Sequence, residues 1–309
     1  MAILITTLTF GITSEAKQIR IYRFDLDIAA GAKGDTTRFS RALNNAPSLY
    51  YTFIDPLISD DSLSPCDKLA TFADLKNIKF FYDDVSEKFA DISDLRLKMT
   101  VISDKMEATL KIPMPDIITF ITPYNQSIIL LDNTTIAVGL NHYLGADYPP
   151  YNYYPSYIKN FKTPEKLPYN IAEAVIRSFF PYYEKEGNLG EHMAYEGAIA
   201  VALKAIMPDY DALTAYNFSN DQMNWLLAHE RDAQSKLHPL LRSNDPATIR
   251  DVTGIVPFCN AVGPQSPGGI GKWLGHKAVE TYLKRNGIDI YTFLTNKFYQ
   301  QWLQKYSDL

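Results

Sequence analysis

The chain has 309 residues, a formal net charge of -5, 46% apolar residues and 21% charged residues. That length and composition describe a globular chain with a substantial core, as one large domain or two small ones, and exclude a disordered one. An acidic balance without a run of Lys and Arg lacks the electrostatic footprint of a nucleic-acid binder.

The 21 tyrosines belong at the core boundary, because each ring is apolar while each hydroxyl needs water or a partner. The two cysteines, Cys66 and Cys259, form no Cys-x-x-Cys pair, which excludes a four-thiolate zinc site. One disulfide in an exported protein and two separate buried thiols both fit them.

Residues Ala2 to Ile12 form an apolar run, followed by Ser14-Glu15-Ala16. The run is about half the ~20 residues of a membrane span, and the small residues suit a signal-peptidase cut after Ala16. The expectation is a leader over residues 1–16 and a single domain over 17–309. No other segment is long and apolar enough to cross a bilayer, so the mature protein is expected to lack a transmembrane segment.

Arg20 to Ile28 alternates apolar and polar residues, which predicts a strand or extended segment. Residues 35–110 read as helices with short breaks, including the apolar stretch Leu49 to Ile54 and the helically spaced Phe80 to Phe89. Ile117 to Thr122 (IITFIT) is β-branched and aromatic. Ser127 to Leu140 (SIILLDNTTIAVGL) carries a turn at Asp132-Asn133. Together these predict a small antiparallel sheet of three or four strands.

The Tyr- and Pro-rich stretch Tyr148 to Tyr157 cannot be a regular helix. Helices are then expected over about 168–180, 190–207, 220–241, 269–286 and 289–306. Helices on both sides of the sheet segment predict an α+β fold, mainly α.

Two of those helices carry the candidate site. On a period of about 3.6 residues, His192, Tyr195, Glu196, Ile199, Leu203, Ile206 and Met207 share one stripe. In the next helix the stripe holds Met223, Leu226, Leu227, Glu230, Gln234, Leu237 and Leu241. A buried carboxylate needs a partner or a metal, so His192, Glu196 and Glu230 are expected together in the interior.

They would form either a zinc site or a structural network in which the carboxylates meet Tyr hydroxyls, His192 or an Arg. A helical His-Glu-x-x-His zinc motif needs a Glu and a second His where Met193 and Glu196 stand. Water activation would lack its usual base.

The segment Gly263 to Lys272 fails as a phosphate loop. Ser266 stands where a Gly is required, and Trp273 where Ser or Thr would ligate magnesium. It reads instead as a Gly-Pro turn capping a helix. Gly271 and Gly275, four residues apart around Trp273, allow close approach of a neighbour.

The stretch Leu131 to Tyr151 with Tyr143-Leu144-Gly145-Ala146-Asp147-Tyr148-Pro149, the helix segment Met193 to Gly197, the stretch Phe218 to Glu230 with Trp225, and Ser266 to Gly275 with Trp273 stand in that order along the chain. In this order and combination they resemble the GldB family of gliding-motility lipoproteins. The likeness implies a mainly helical fold distantly similar to predicted zinc peptidases, that is, a degenerate zincin-like domain. It implies a cell-envelope protein, in the periplasm or associated with the outer membrane, that acts in motility or secretion.

Its partners would be envelope, motility or secretion proteins, with peripheral membrane association. No enzymatic activity is implied. Family members of this kind carry a Cys directly after the leader, whereas Lys17 follows Ala16 here. Because Met193 and Glu196 stand where a zincin needs its Glu and second His, the expected role is non-catalytic binding or assembly without a cofactor. The alternative is a zinc-dependent, peptidase-like hydrolase using His192, Glu196 and Glu230.

Overall fold

The protein is described by a computed structural model that covers residues 19–182 and 187–302. The expected leader lies outside these residues. The first element is strand β1 (Ile21–Arg23), and helix α1 (Phe24–Ala32) follows at once. The extended segment expected from Arg20 to Ile28 therefore ends after three residues.

Its polar positions explain the difference. Asp25 and Asp27 lie in the first turn of α1, where a carboxylate suits the positive end of the helix dipole. Both are buried and both are paired. Asp25 takes Arg23 at 2.6 Å and the Thr119 hydroxyl at 2.5 Å, and Asp27 takes Arg38 at 2.9 Å.

Helices α2 (Thr37–Asn45), α3 (Pro65–Ala73), α4 (Phe81–Lys88) and α5 (Ser93–Leu110) fill most of the next stretch. Between α2 and α3 a further helical stretch contains a π turn over Tyr50–Ile54. Strands β2 (Asp116–Phe120), β3 (Ile128–Asp132) and β4 (Thr135–Gly139) complete a four-stranded sheet in the order β1-β2-β4-β3.

The sheet is mixed, which corrects the antiparallel expectation. Only β3 and β4 pair antiparallel, while β1 with β2 and β2 with β4 are parallel. The hairpin follows from the Asp132 carboxylate, which accepts from the Thr134 amide and hydroxyl at 2.7 Å each and closes the turn locally. The β1–β2 pairing spans the whole helical stretch from α1 to α5. Parallel strands need such a crossover, and hydropathy patterning does not record it.

After a four-residue helical turn at Ser156–Lys159, the remaining α-helices among the described residues are α6 (Lys166–Phe179), α7 (Leu189–Ile206), α8 (Ala212–Tyr216), α9 (Asn220–Leu237), α10 (Pro246–Thr253), α11 (Ile270–Asn286) and α12 (Ile290–Thr295). Helix α10 falls between the expected elements. Its signal was an Asp-Pro start, with the Asp245 carboxylate accepting from the amides of Ala247 and Thr248. The last expected helix stops early because Lys297 is left-handed at φ 50°, which breaks the helical path.

Helix α7 runs through the centre and touches α5, α6, α10, α11 and α12. Nearly all its residues are buried. The two cysteines are separate thiols. Cys66 lies beside the Ser40 hydroxyl, and buried Cys259 beside Asp251. Burial and the Asp251 charge push the Cys259 thiol up to about 12.

Candidate functional site

A cleft of about 720 Å³ opens between the start of β3, the loop before α6, the helices α6 to α8, and the loop leading into α11. Its floor is set by α6. Lys166, Asn170, Glu173 and Arg177 recur at helical spacing and all line the cleft. Apolar residues on the opposite side of the same helix, among them Ile171, Val175 and Ile176, are fully buried, and this fixes the direction of the polar face.

An ionic chain crosses the cleft. The Arg177 guanidinium donates to both oxygens of Glu196 at 2.9 and 2.6 Å, and to Glu173 at 3.0 and 2.7 Å. Such a two-pronged pair fixes orientation as well as charge. Lys272, in the first turns of α11, reaches Glu173 at 3.1 Å. Burial works against the Glu173 charge, but Lys272 and Arg177 outweigh it and hold its carboxyl well below the usual carboxylate range. The Tyr195 ring lies 5.4 Å from the guanidinium carbon.

Two more lysines border the cleft, and both are buried. The Lys166 ammonium donates to the carbonyls of Thr214 and Ala215. Burial, joined by repulsion from Lys272, pushes it down to about 7. Lys162 sits 2.7 Å from His142 Nδ1 and over the Tyr154 ring at 4.6 Å, and burial lowers it to about 8.

His142 is pushed down to about 4, by burial first and by Lys162 second, against the bond its Nε2 makes with the Tyr124 carbonyl at 2.9 Å. A neutral ring with Nε2–H donating to Tyr124 and Nδ1 accepting from Lys162 satisfies every atom of the group.

The residues expected to share one site part company. Glu196 lines the cleft and is held by Arg177, so the Arg option of the structural network is realised there. Glu230 does not line the cleft. It pairs with Lys277 of α11 at 2.6 Å. His192 is buried, with its ring edge-on to Tyr182 at 4.7 Å.

Among the described residues no group of three or more His, Cys, Asp or Glu is placed to hold a metal ion. The physical reason is that α7 is buried on nearly every side, so an apolar stripe on it gives no single inward direction. Its Glu196 turns to α6, whereas Glu230 on α9 turns to α11. On α9 the expected stripe is also uneven. Leu227 is 59% exposed, and the backbone at His229 leaves helical geometry just before Glu230.

The glycine motif sits where α11 crosses α7. A Cβ on Gly275 would lie 1.9 Å from the Met193 carbonyl oxygen, and one on Gly197 would lie 2.2 Å from the Gly275 backbone. Gly271 faces a different neighbour, α10, where the Val252 side chain would lie 2.7 Å from an added Cβ, so the two glycines do not meet one partner as their spacing suggests. Trp273 is buried between them, with the Lys277 ammonium 4.7 Å from its ring centre. Gly269 starts α11 in the left-handed region at φ 69°, which a glycine adopts without strain.

The Tyr-rich stretch is internal only in part, with Tyr151 buried and Tyr148, Tyr154 and Tyr157 half-buried. Buried Tyr151 donates to the Asn141 carbonyl at 2.5 Å, and Tyr154 to Asn125 at 2.5 Å, while Tyr153 is exposed.

Sequence reasoning did not single out Lys162, Lys166, Glu173, Arg177 or Lys272. The polar stripe on α6 was the available signal, because four polar residues at helical spacing contradict an otherwise apolar helix.

A mainly helical α+β fold carrying an ionic cleft defines the class of the molecule. The chain belongs to the family of the gliding motility protein GldB, whose family model matches residues 11–307. The family is one of lipoproteins, which fits association with the cell envelope. No curated protein matches the chain, and no solved structure matches it. No helix among the described residues is long and apolar enough to cross a membrane.

Proposed function

We propose that the protein is a non-catalytic component of an envelope machinery for motility or secretion, on the periplasmic or outer-membrane side, and that it works by holding a partner group in the cleft. The family assignment supports the setting. The observation that carries the non-catalytic reading is the engagement of both cleft carboxylates by one guanidinium. A general base works best with a pKa near the operating pH. Glu173 is held far below that range, and Glu196 spends both oxygens on Arg177.

The test is complementation of a gliding bacterium that lacks its own family member. Ala174→Phe places a ring in the cleft and is expected to abolish rescue, while Glu230→Gln, outside the cleft, is expected to rescue fully. The zinc-hydrolase alternative predicts the opposite pattern: stoichiometric zinc after dialysis, and a hydrolytic activity lost in Glu196→Gln. Either of those results would overturn the binding reading.

A further inference from the structure

We infer that the cleft takes a ligand with a carboxylate or phosphate group attached to an apolar body, and that Lys272 and Lys166 receive the oxyanion. This rests on the binding reading above and names the chemistry of what is bound.

The charge count in the cleft is the first observation. Lys162, Lys166, Arg177 and Lys272 line it, against two carboxylates, Glu173 and Glu196. Lys166, pushed down to about 7, carries only part of its charge near neutral pH, but the cations still outnumber the two anions and leave a local excess of positive charge in a chain whose net charge is -5. A concave, low-dielectric wall focuses such a field and raises the local concentration of anions.

The second observation is which cations remain available. Arg177 directs its donors at Glu173 and Glu196, so it builds the wall. Lys272 has a single ion-pair partner among the described residues, Glu173 at 3.1 Å. An ammonium has three protons to donate, so two of them are left for a ligand. Lys166 uses two donors on the carbonyls of Thr214 and Ala215, which leaves one.

The third observation is that these two cations repel each other. Lys166 is 4% exposed, and the charge of Lys272 is among the causes that disfavour its protonated form. Burial is the larger cause of the downward shift, and Glu173 and Asp211 act against both. An oxyanion placed between the two ammonium groups would be attracted to both and would relieve their repulsion.

The apolar body follows from the rest of the lining. Ile158, Phe161, Phe218, Val256 and Pro257 border the same space. A bare inorganic anion would leave those surfaces uncovered, whereas a ligand with a ring or short chain would remove them from water.

The experiment uses the full chain with phenyl phosphate and benzoate as probes, which share a ring and differ in the oxyanion. Binding is read by calorimetry and by the rise in melting temperature at ionic strength matched with sodium chloride. At least one probe is expected to bind and to stabilise the protein beyond the chloride control. Lys272→Gln should weaken that binding by about tenfold or more, as expected for a lost hydrogen bond to a charged group. Lys277→Gln, on the same helix but outside the cleft, should bind like the parent.

A stronger response to phenyl phosphate assigns a phosphate source, and a stronger response to benzoate a carboxylate source. Circular dichroism of Lys272→Gln separates lost binding from lost folding. If that variant is unfolded, Lys272→Arg, which keeps the charge, is expected to retain binding to within a few-fold.

The inference is overturned if neither probe exceeds the chloride control, or if folded Lys272→Gln binds as tightly as the parent, or if Lys277→Gln loses as much as Lys272→Gln. Loss of rescue by Ala174→Phe combined with failure of both probes would sink the oxyanion assignment alone. Rescue by Ala174→Phe would sink the binding reading itself.

Discussion

Helix α7 meets α11 and α6 in two opposite ways. Against α11 the contact is between backbones. Gly197 and Gly275 face each other with no room for a methyl group on either. Against α6 the contact is between charges, where Glu196 meets Arg177 at the edge of an open cleft. The first contact derives its stability from the absence of side chains and allows no added atom. The second uses long side chains, leaves space, and depends on every charge having a partner. One helix thus carries a fixed seam on one side and a polar cleft on the other, with the seam holding the cleft in register.

The largest expected effect breaks the seam. Gly275→Leu forces atoms into the Met193 carbonyl, and neither backbone can move without shifting a whole helix. The loss should reach about 3 kcal/mol or more, the upper end of what overpacking costs. Denaturant titration against the parent checks this. A variant with an unchanged midpoint would show that the two helices separate freely and that the seam is not rigid.

A smaller effect breaks the cleft wall. Glu173→Gln keeps the shape but leaves Arg177 and Lys272 with one carboxylate between them. Removing one member of a buried pair costs roughly 3–5 kcal/mol, and partial exposure here reduces that to about 2 kcal/mol. Glu230→Gln removes a carboxylate of similar burial from an isolated pair with half-exposed Lys277, and should cost under about 1 kcal/mol. Melting temperatures of the two variants side by side sharpen the contrast between network and isolated pair. Equal losses would remove it.

The smallest effect is a pH dependence at the cleft rim. His142 titrates near 4 in the fold and near 6.5 in the unfolded chain. Between these values the unfolded state binds more protons, so stability falls as pH drops from about 6.5 towards 4. The groups facing the ring are Lys162 and the Tyr124 carbonyl, and a proton on His142 would face the Lys162 charge. In His142→Gln the stability difference between pH 7 and about pH 5.7 should shrink by roughly 1 kcal/mol. An identical slope in parent and variant would mean that the ring is not held neutral.

Much of this was legible in the residues. The β-branched runs placed β2, β3 and β4, and the Asp132-Asn133 turn joined two of them. The Gly271 and Gly275 spacing pointed to a close helix approach, and the Pro-rich stretch ruled out a regular helix between Tyr148 and Tyr157. These signals are local. Each depends on the conformational limits of a residue or on a short period, so a few neighbouring residues carry it.

The candidate site was legible in part only. Each of the two helices carries its Glu half-buried rather than buried, and each Glu is paired, as desolvation demands. Which partner each would find was outside the reach of periodicity. Glu196 is met by Arg177, 19 positions earlier, and Glu230 by Lys277, 47 positions later.

By itself the sequence determined the helical α+β composition, the turn chemistry and the need for charge partners, because propensity, glycine and proline limits and desolvation act on each residue where it stands. Only the tertiary structure decided that β1 pairs parallel with β2, that α7 is buried on nearly every side, and that Lys272 comes to Glu173 from 99 positions away. Those outcomes depend on how whole elements pack. A stripe says that a residue is turned towards a neighbour, but the neighbour is chosen by the fold.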